Sequence, residues 1–383
     1  MDRGAGSESG DGFVDPAYGG RSLADLLPAV SSALGTRLPG WDEVPVLALP
    51  ESPAYVVFLV DGLGADLLAA HAHAAPYLSS LLTDGSVGTS GVPSTTATSL
   101  TSLGTGLTPG AHGVVGFTSR VPGSDRLLNA LFWDKDIDPL QWQPHPTGFQ
   151  TLVAAGVHVT TVNKREFRGS GLTIAAQRGG EWVNADRVGE RVAGAVAAAA
   201  ASPSLTYLYD GDLDWTGHRY GVASAQWLQQ LAIIDAEAEQ LRDALPSRAR
   251  LVVVADHGMV DAGPGRRLDL DEDPAYRDGV VLIGGEARFR HVYCAAGAVA
   301  DVQARWRELL GGAALVVTRD EAIACGWFGE VSAPVLPRLG DVVAAAREDW
   351  GMFSSVDFPY ELRLVGLHGS LTPVEMRIPL LVD

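Results

Sequence analysis

The strongest constraint on the fold is the regular alternation of short apolar runs with helical segments. The runs are rich in β-branched residues and comprise YVVFLV (55–60), HVTTV (158–162), LTYLY (205–209), RLVVVA (250–255), VVLI (280–283), ALVVT (314–318) and IPLLV (378–382). Between two of these runs, Leu228, Leu231 and Ile234 begin an apolar stripe with helical spacing. Strands that alternate with helices predict an α/β fold with a largely parallel central sheet and helices on both faces.

The chain length and local composition predict the domain organisation. The chain has 383 residues, which is compatible with one large domain that carries insertions. We expect residues 21–383 to form a single α/β domain, with insertions near 107–150 and 260–345 that lie over the sheet. Residues 1–20 are rich in Gly, Ser and Asp, so we expect a disordered tail there.

The charge balance narrows the range of partners. Lys and Arg number 28 against 46 Asp and Glu, which gives a formal net charge of −18. Such a surface repels a polyphosphate backbone, so we expect no binding to long nucleic acid. A small anionic substrate remains compatible, because bound divalent cations can reverse the field locally.

No segment predicts an association with a membrane. An uncharged apolar run of about 18 residues is absent, and no basic segment followed by an apolar one opens the chain. We therefore expect a cytoplasmic location. The sequence does not predict an oligomeric state.

Two of the apolar runs lead directly into ionisable residues. Asp61 follows YVVFLV and precedes Gly62, and Asp256 and His257 follow LVVVA and precede Gly258. Ligands of open α/β sheets bind at the carboxyl ends of the strands, where these side chains would lie. Buried ionisable groups at a strand end are costly without a partner, which makes them candidate metal ligands. A helix-capping role is the alternative for Asp61.

A hydroxyl-rich segment, PSTTATS (93–99), precedes another predicted helix. Hydroxyl groups at a helix N-terminus lie beside backbone N–H groups and a partial positive charge, where phosphate binds readily. A threonine or serine there, activated by a metal, would be a nucleophile. An ordinary Ser/Thr-capped helix is the alternative.

Further candidate ligands lie in two loops. Asp214 and His218 are four residues apart after LTYLY, so on a helical turn they share a face and can bind one ion. Asp210 and Asp212 compete for the same role. His368 lies in a glycine-flanked loop before the last run, where a surface histidine is the alternative.

Taken in order, these segments resemble the nucleotide pyrophosphatase/phosphodiesterase branch of the alkaline phosphatase superfamily. The resemblance covers about residues 50–383 and rests on strand-Asp-Gly, Pro-Ser-x-Thr, Asp-x-x-x-His, Asp-His-Gly-Met and a late Gly-x-His-Gly. It implies that Asp214, His218 and His368 hold one zinc ion, and that Asp61, Asp256 and His257 hold a second. Thr96 would complete the second site as the nucleophile, with Thr95 as the fallback, and manganese is the alternative metal.

The resemblance implies a two-metal phosphoric ester hydrolase that acts through a covalent phosphothreonine on a small phosphorylated, nucleotide-like substrate. At one position the sequence departs from the family: Gly116–Phe117 stand where the phosphodiesterases usually have an asparagine. A phosphomonoesterase or a phosphonate hydrolase of the same superfamily therefore remains an alternative. From a different class, a metal-stabilised binding module is a further alternative, against which the presence of Thr96 argues.

Two groups of residues are candidates for contacting the substrate. Lys164, Arg165 and Arg168 form a basic cluster in an acidic protein and could clamp a phosphate, although a solvated loop is the commoner role. The aromatic residues Phe117 and Phe132 could stack on a base or cover the cleft, although core packing is the commoner role.

Overall fold

The computed structural model describes residues 12–36, 38, 40, 41 and 45–383. Its main element is a seven-stranded sheet, which has the spatial order Val87–Thr89, Arg377–Val382, Ala249–Val254, Ala54–Val60, Ser204–Asp210, His158–Asn163 and Glu181–Asn184. The last five strands of that order pair in parallel, and Arg377–Val382 is antiparallel to both of its neighbours. The predicted α/β fold with a mostly parallel central sheet is confirmed.

Helices flank this sheet and connect its strands. The α-helices are Leu26–Ala33, Ala65–Ala70, Pro76–Ser80, Thr96–Thr105, Pro109–His112, Pro139–Trp142, Gly148–Ala154, Gly171–Gln177, Val188–Ala198, Asp212–Tyr220, Ala225–Ala244, Val299–Leu310, Arg319–Ala324 and Pro373–Met376. Short 3₁₀ helices are Leu23–Asp25, Asp84–Ser86, Arg165–Phe167, Pro274–Arg277, Gly311–Ala313, Leu336–Arg338 and Glu361–Arg363. Among the described residues, no helix combines the length and the apolar character that crossing a membrane requires.

The central strands are apolar because the sheet is covered on both faces. Every residue of Ala54–Val60 is buried, and Val252, Val253 and Val254 of the neighbouring strand are fully buried. A strand with two buried faces has no polar alternation, which explains the continuous apolar runs in the sequence.

A second sheet lies in the segment that we predicted as the later insertion. Its four antiparallel strands have the order Val280–Glu286, Phe289–Cys294, Val342–Ala346 and Ala314–Thr318. Helix Val299–Leu310 packs on it through the buried side chains of Val302 and Trp306. Smaller two-stranded sheets pair Thr118–Arg120 with Leu127–Asn129, Arg267–Asp269 with Gly351–Phe353, and Val260–Asp261 with Gly366–Leu367. The division into one domain with insertions stays a prediction.

The amino-terminal segment differs from our expectation where it is described. Residues 12–20 were predicted to be part of a disordered tail, but Phe13 and Val14 are buried. The backbone N–H of Val14 donates to the carbonyl of Leu371 at 2.8 Å. The buried side chains of Phe13 and Val14 anchor the segment although the residues around them are mostly polar. The predicted disorder was therefore wrong for residues 12–20. Residues 1–11 lie outside the described residues.

Candidate active site

The candidate ligands lie together at the carboxyl edge of the central sheet. Asp61 directly follows strand Ala54–Val60, and Asp256 follows strand Ala249–Val254 after one residue. These strands are neighbours and parallel, so both carboxyl groups arrive at the same edge. Gly62 has a φ of +76°, and its backbone N–H donates to Asp256 Oδ1 at 3.1 Å. A β-carbon at Gly62 would lie 3.1 Å from the Asp214 β-carbon. The absence of a side chain at Gly62 therefore also lets helix Asp212–Tyr220, which carries Asp214, approach this edge of the sheet.

The structure brings the six predicted protein ligands into one cluster. One group of ligand atoms, which lie within 4.8 Å of one another, comes from Asp61, Asp256 and His257, as the resemblance implied. A second such group comes from Asp214, His257 and His368. His218 was expected in that second set; its Nε2 lies 3.3 Å from Asp214 Oδ2. His257 therefore lies between the two groups.

Three histidines are oriented in the same way. The Nδ1 atom lies within hydrogen-bonding distance of a backbone carbonyl in His218 (Gly366, 2.7 Å), His257 (Gly258, 3.0 Å) and His368 (Ser94, 3.0 Å). A carbonyl oxygen only accepts, so each Nδ1 must carry the proton and donate. Each Nε2 lone pair is left facing the carboxylates, which is the arrangement of metal-binding histidines.

The electrostatics of the cluster require a counter-charge. Burial, followed by the Asp256 and Asp214 carboxylates, raises the pKa of Asp61 well above its usual value. Burial also raises the pKa of Asp256. Asp256 Oδ2 and Asp214 Oδ1 are buried and have no hydrogen-bond partner. Buried carboxylates this close together are stabilised by bound cations, so the residues fit a metal-binding role.

Thr96 is the hydroxyl group of this cluster. It is the first residue of helix Thr96–Thr105, and its Oγ1 lies 3.3 Å from both Asp61 Oδ2 and His257 Nε2. Ser94 ties this turn to the His368 loop, because its backbone N–H donates to the Gly369 carbonyl and its Oγ donates to the Ser370 carbonyl. Thr95 is the N-cap of the same helix, and its hydroxyl makes no capping hydrogen bond to the helix N-terminus.

Two cavities meet at Thr96 and Asp214. The smaller one, of about 160 Å³, extends towards Phe117, Glu286 and Tyr360. The larger one, of about 390 Å³, is lined by Asp61 as well and extends towards the residues Phe132, Asn163, Glu166, Phe167 and Tyr209. Phe117 and Phe132 thus cover the cleft and are not core residues. The two cavities together form a cleft with two arms.

The predicted basic clamp is not part of this lining. Lys164 Nζ pairs with Asp212 Oδ1 at 2.6 Å, and Arg165 Nε pairs with Asp186 Oδ2 at 2.6 Å. Arg168 is exposed. Among the described residues that line the two arms, none is lysine or arginine.

The comparison with known families agrees with the geometry. Residues 55–371 match the family model of type I phosphodiesterase/nucleotide pyrophosphatase. The chain belongs to this family. It is therefore a phosphoric ester hydrolase of the alkaline phosphatase superfamily, and the family is metal-dependent.

Solved structures share the fold of this family member at low sequence identity. Murine ectonucleotide pyrophosphatase/phosphodiesterase 5 is 20% identical, with a TM-score of 0.65, and the match covers 85% of this chain and 86% of that one. Phosphonoacetate hydrolase from Sinorhizobium meliloti 1021, in complex with phosphonoacetate, is 19% identical with a TM-score of 0.67, and the match covers 89% and 92% of the two chains.

Two residues of the cleft of this hydrolase, Tyr209 and Glu286, were not predicted from the sequence. Tyr209 donates its hydroxyl to Asp61 Oδ2, and burial, followed by the Asp61 charge, raises the pKa of Tyr209 well above its ordinary value. Its position at the end of a strand, beside the acidic turn, was the available signal. Glu286 ends a strand of the second sheet, and nothing near it in sequence indicated that this sheet lies against the site.

Proposed function

We propose that this hydrolase cleaves phosphoric diesters, or nucleotide-like pyrophosphates, through a covalent phosphothreonine on Thr96. The observation that carries the proposal is the two-armed cleft. Thr96 and Asp214 line both arms, so a phosphoryl group at Thr96 has room for a substituent on each side. A diester has two substituents, whereas a monoester would leave one arm empty.

The charge of the cleft supports the same choice. A phosphomonoester is a dianion near neutral pH, and enzymes that bind it usually place cationic side chains on its extra oxygen. The described lining of both arms contains carboxylates and no lysine or arginine. A diester monoanion needs less compensation, and the proposed cations would supply it.

The cations are proposed to be two zinc ions, with manganese as the alternative. Asp61, Asp256 and His257 would hold one of them, and Asp214, His218 and His368 the other. Mixed carboxylate and imidazole ligation of this kind suits zinc. When bound, the ions would lower the pKa of the Thr96 hydroxyl and neutralise charge on the phosphoryl oxygens.

The residues of the chain then define the order of bond changes. Thr96 Oγ1 attacks phosphorus and the bond to one substituent breaks. That substituent leaves with the proton that Thr96 has lost, as an alcohol from a diester or as a phosphate from a pyrophosphate. Water next cleaves the Thr96–phosphorus bond, which restores the threonine hydroxyl and releases a monoester. Tyr209 donates to Asp61 and thereby fixes the carboxylate beside the nucleophile.

The larger arm would take the nucleotide-like substituent. Phe132, Phe167 and Tyr209 line it, and Phe167 and Tyr209 pack edge to face with their centroids 5.8 Å apart. Phe132 is 78% exposed, which is costly for an isolated aromatic ring and fits a ring that stacks on a planar substrate group. One similar structure, an inactive variant of the murine relative, contains AMP.

A direct test compares bis-p-nitrophenyl phosphate with p-nitrophenyl phosphate. We expect kcat/KM for the diester to exceed that for the monoester by at least tenfold. Phosphonoacetate serves as a third substrate, and we expect no measurable turnover because its carboxylate would face an acidic cleft. A preference for the monoester or for phosphonoacetate would overturn the proposal.

A further inference from the structure

Glu286 is a buried acid on the wall of the smaller arm. It ends strand Val280–Glu286 of the second sheet, far from the cluster in sequence, and its side chain is 7% exposed. Its Oε2 accepts the backbone N–H of Phe117 at 2.8 Å. Its Oε1 is buried and has no hydrogen-bond partner. A buried oxygen without a hydrogen-bond partner is costly. The position of this one beside a cavity therefore points to a ligand that supplies the missing hydrogen bond.

The surrounding backbone leaves room for this carboxyl group. A β-carbon at Gly369 would lie 2.6 Å from Glu286 Cγ and 3.1 Å from Oε1. Gly116 lies on the other side, where a β-carbon would be 3.7 Å from Oε2. Glycine at 369, directly after His368, therefore lets the side chain reach the cleft beside the proposed metal ligands.

The charges around Glu286 do not pair with it. Arg290 forms its own ion pair with Glu361, and its Nε donates to the Met352 carbonyl at 2.9 Å. Phe117, Tyr360 and Leu364 belong to the lining of the same arm. Burial raises the pKa of Glu286 to about 8, which keeps it a neutral carboxylic acid at neutral pH. A neutral acid can donate one hydrogen bond from its free oxygen.

We propose that Glu286 is a specificity-determining residue that hydrogen-bonds an uncharged polar group, such as a hydroxyl, on the phosphate substituent in the smaller arm. The inference rests on the proposed diesterase function and names the class of substituent that this arm accepts. An anionic substituent is disfavoured, because no lysine or arginine among the described residues of this arm compensates a negative charge. The smaller arm therefore favours diesters of neutral alcohols over a diphosphate.

The test uses four p-nitrophenyl aryl phosphate diesters that differ only in the para substituent of the second ring: hydrogen, hydroxymethyl, aminomethyl and carboxylate. Release of p-nitrophenolate gives kcat and KM for each diester. We expect the wild-type metal-loaded enzyme to prefer hydroxymethyl over hydrogen by about threefold to tenfold, the usual range for one added hydrogen bond. The carboxylate ester should be at least tenfold worse than the hydrogen ester.

Two variants assign the effect to Glu286. Glu286→Gln keeps the shape and both hydrogen-bonding functions, so the hydroxymethyl preference should persist. Glu286→Leu should lose that preference, and the loss should appear in KM for the hydroxymethyl ester. Glu166→Gln, in the larger arm, is the matched control and should leave the ratio between hydroxymethyl and hydrogen unchanged. Thermal unfolding of each variant verifies that it is folded.

The outcomes separate the two proposals. If the wild-type enzyme hydrolyses the diesters without discriminating among them, the role of Glu286 is refuted and the diesterase function stands. A wild-type preference for the aminomethyl ester that disappears in Glu286→Gln would show a cation-binding carboxylate and would also refute it. If Glu286→Leu fails to fold, loss of the hydroxymethyl preference in Glu286→Gln decides against the proposal. Absence of hydrolysis of every diester would remove both proposals.

Discussion

The imidazole rings of His257 and His368 lie face to face, with their centroids 3.7 Å apart and an angle of 15° between the ring planes. Burial, followed by the neighbouring His257 and His218, lowers the pKa of His368 well below its ordinary value. Two charged rings at this distance would repel strongly, so the stack does not allow both imidazoles to be protonated. Neutral rings whose Nδ1 atoms donate to carbonyls present their Nε2 lone pairs to cations.

The two proposed ligand sets lead to a prediction about metal content. Asp256 and His257 are proposed ligands of the same ion, so Asp256→Ala and His257→Ala should each lose that ion and keep the other one. We expect about two ions per chain in the wild type and about one in either variant, as measured by elemental analysis after dialysis. His73→Ala, at an exposed histidine, is the control and should keep the wild-type content. Equal metal content in all four proteins would contradict the assigned ligands.

A second prediction separates the two adjacent threonines. Thr96→Ala should lower kcat for bis-p-nitrophenyl phosphate by at least about a thousandfold, because the nucleophile is lost, while metal content stays near normal. Thr96→Ser keeps a hydroxyl and should retain measurable turnover. Thr95→Ala should stay within about tenfold of the wild type, because the hydroxyl near Asp61 and His257 belongs to Thr96. Retained activity in Thr96→Ala, with loss in Thr95→Ala, would move the nucleophile to Thr95.

The sequence predicted the central sheet and the cluster because both depend on local pattern. Continuous apolar runs mark strands buried on both faces, and the residue after such a run lies at the edge where ligands bind. Asp61 and Asp256 were found for this reason. From the sequence, Asp210, Asp212 and Asp214 were all candidate metal ligands, because their spacing does not show which carboxylate forms an ion pair with a basic side chain. In the structure, Asp210 pairs with Arg191 and Asp212 with Lys164, and Asp214 faces the histidines.

The basic cluster that was predicted to clamp a phosphate, and Glu286, which was not predicted, both depend on contacts between residues far apart in the sequence. In the structure, Lys164 pairs with Asp212 and Arg165 pairs with Asp186. Neither acidic partner is adjacent in sequence, so the basic residues looked available for an anion. Glu286 reaches the cleft because the second sheet packs against the first, and the hydrophobic pattern of the sequence does not predict how two sheets pack.

A third prediction concerns the ion pairs behind the cluster. Arg191 is buried; its Nε donates to Glu237 Oε1 at 2.8 Å and its Nη2 to Asp210 Oδ2 at 2.5 Å. Arg191→Ala removes the cation that pairs with two buried carboxylates and should reduce the free energy of unfolding by about 3–5 kcal/mol, as measured in urea. Arg165→Ala removes an exposed ion pair with Asp186 and should change stability little. Similar small losses in both variants would show that the buried network is dispensable.

The last prediction follows from the pKa of Glu286, which burial raises to about 8 from an ordinary value of 4.5. Between these two values the unfolded chain has released the proton and the folded chain has kept it. The folded state therefore binds more protons, and stability must fall as pH rises through this window. The surrounding charges are Arg290, which lowers this pKa, and Glu361 and Glu375, which raise it.

Glu286→Gln removes this titration, so the variant should gain stability relative to the wild type as pH rises from about 5 to 8. The expected gain is about 1.4 kcal/mol per pH unit within the window, as measured by urea unfolding of both proteins in the same buffers. Glu321→Gln is a control of opposite sign. A backbone hydrogen bond from Thr318 lowers the pKa of Glu321 below its ordinary value of 4.5. The contribution of Glu321 to folding stability is therefore fully present above that ordinary value, and it is lost only at more acidic pH. A stability difference for Glu286→Gln that stays constant from pH 5 to 8 would show that Glu286 is ionised throughout, and the neutral hydrogen-bond donor in the smaller arm would then be excluded.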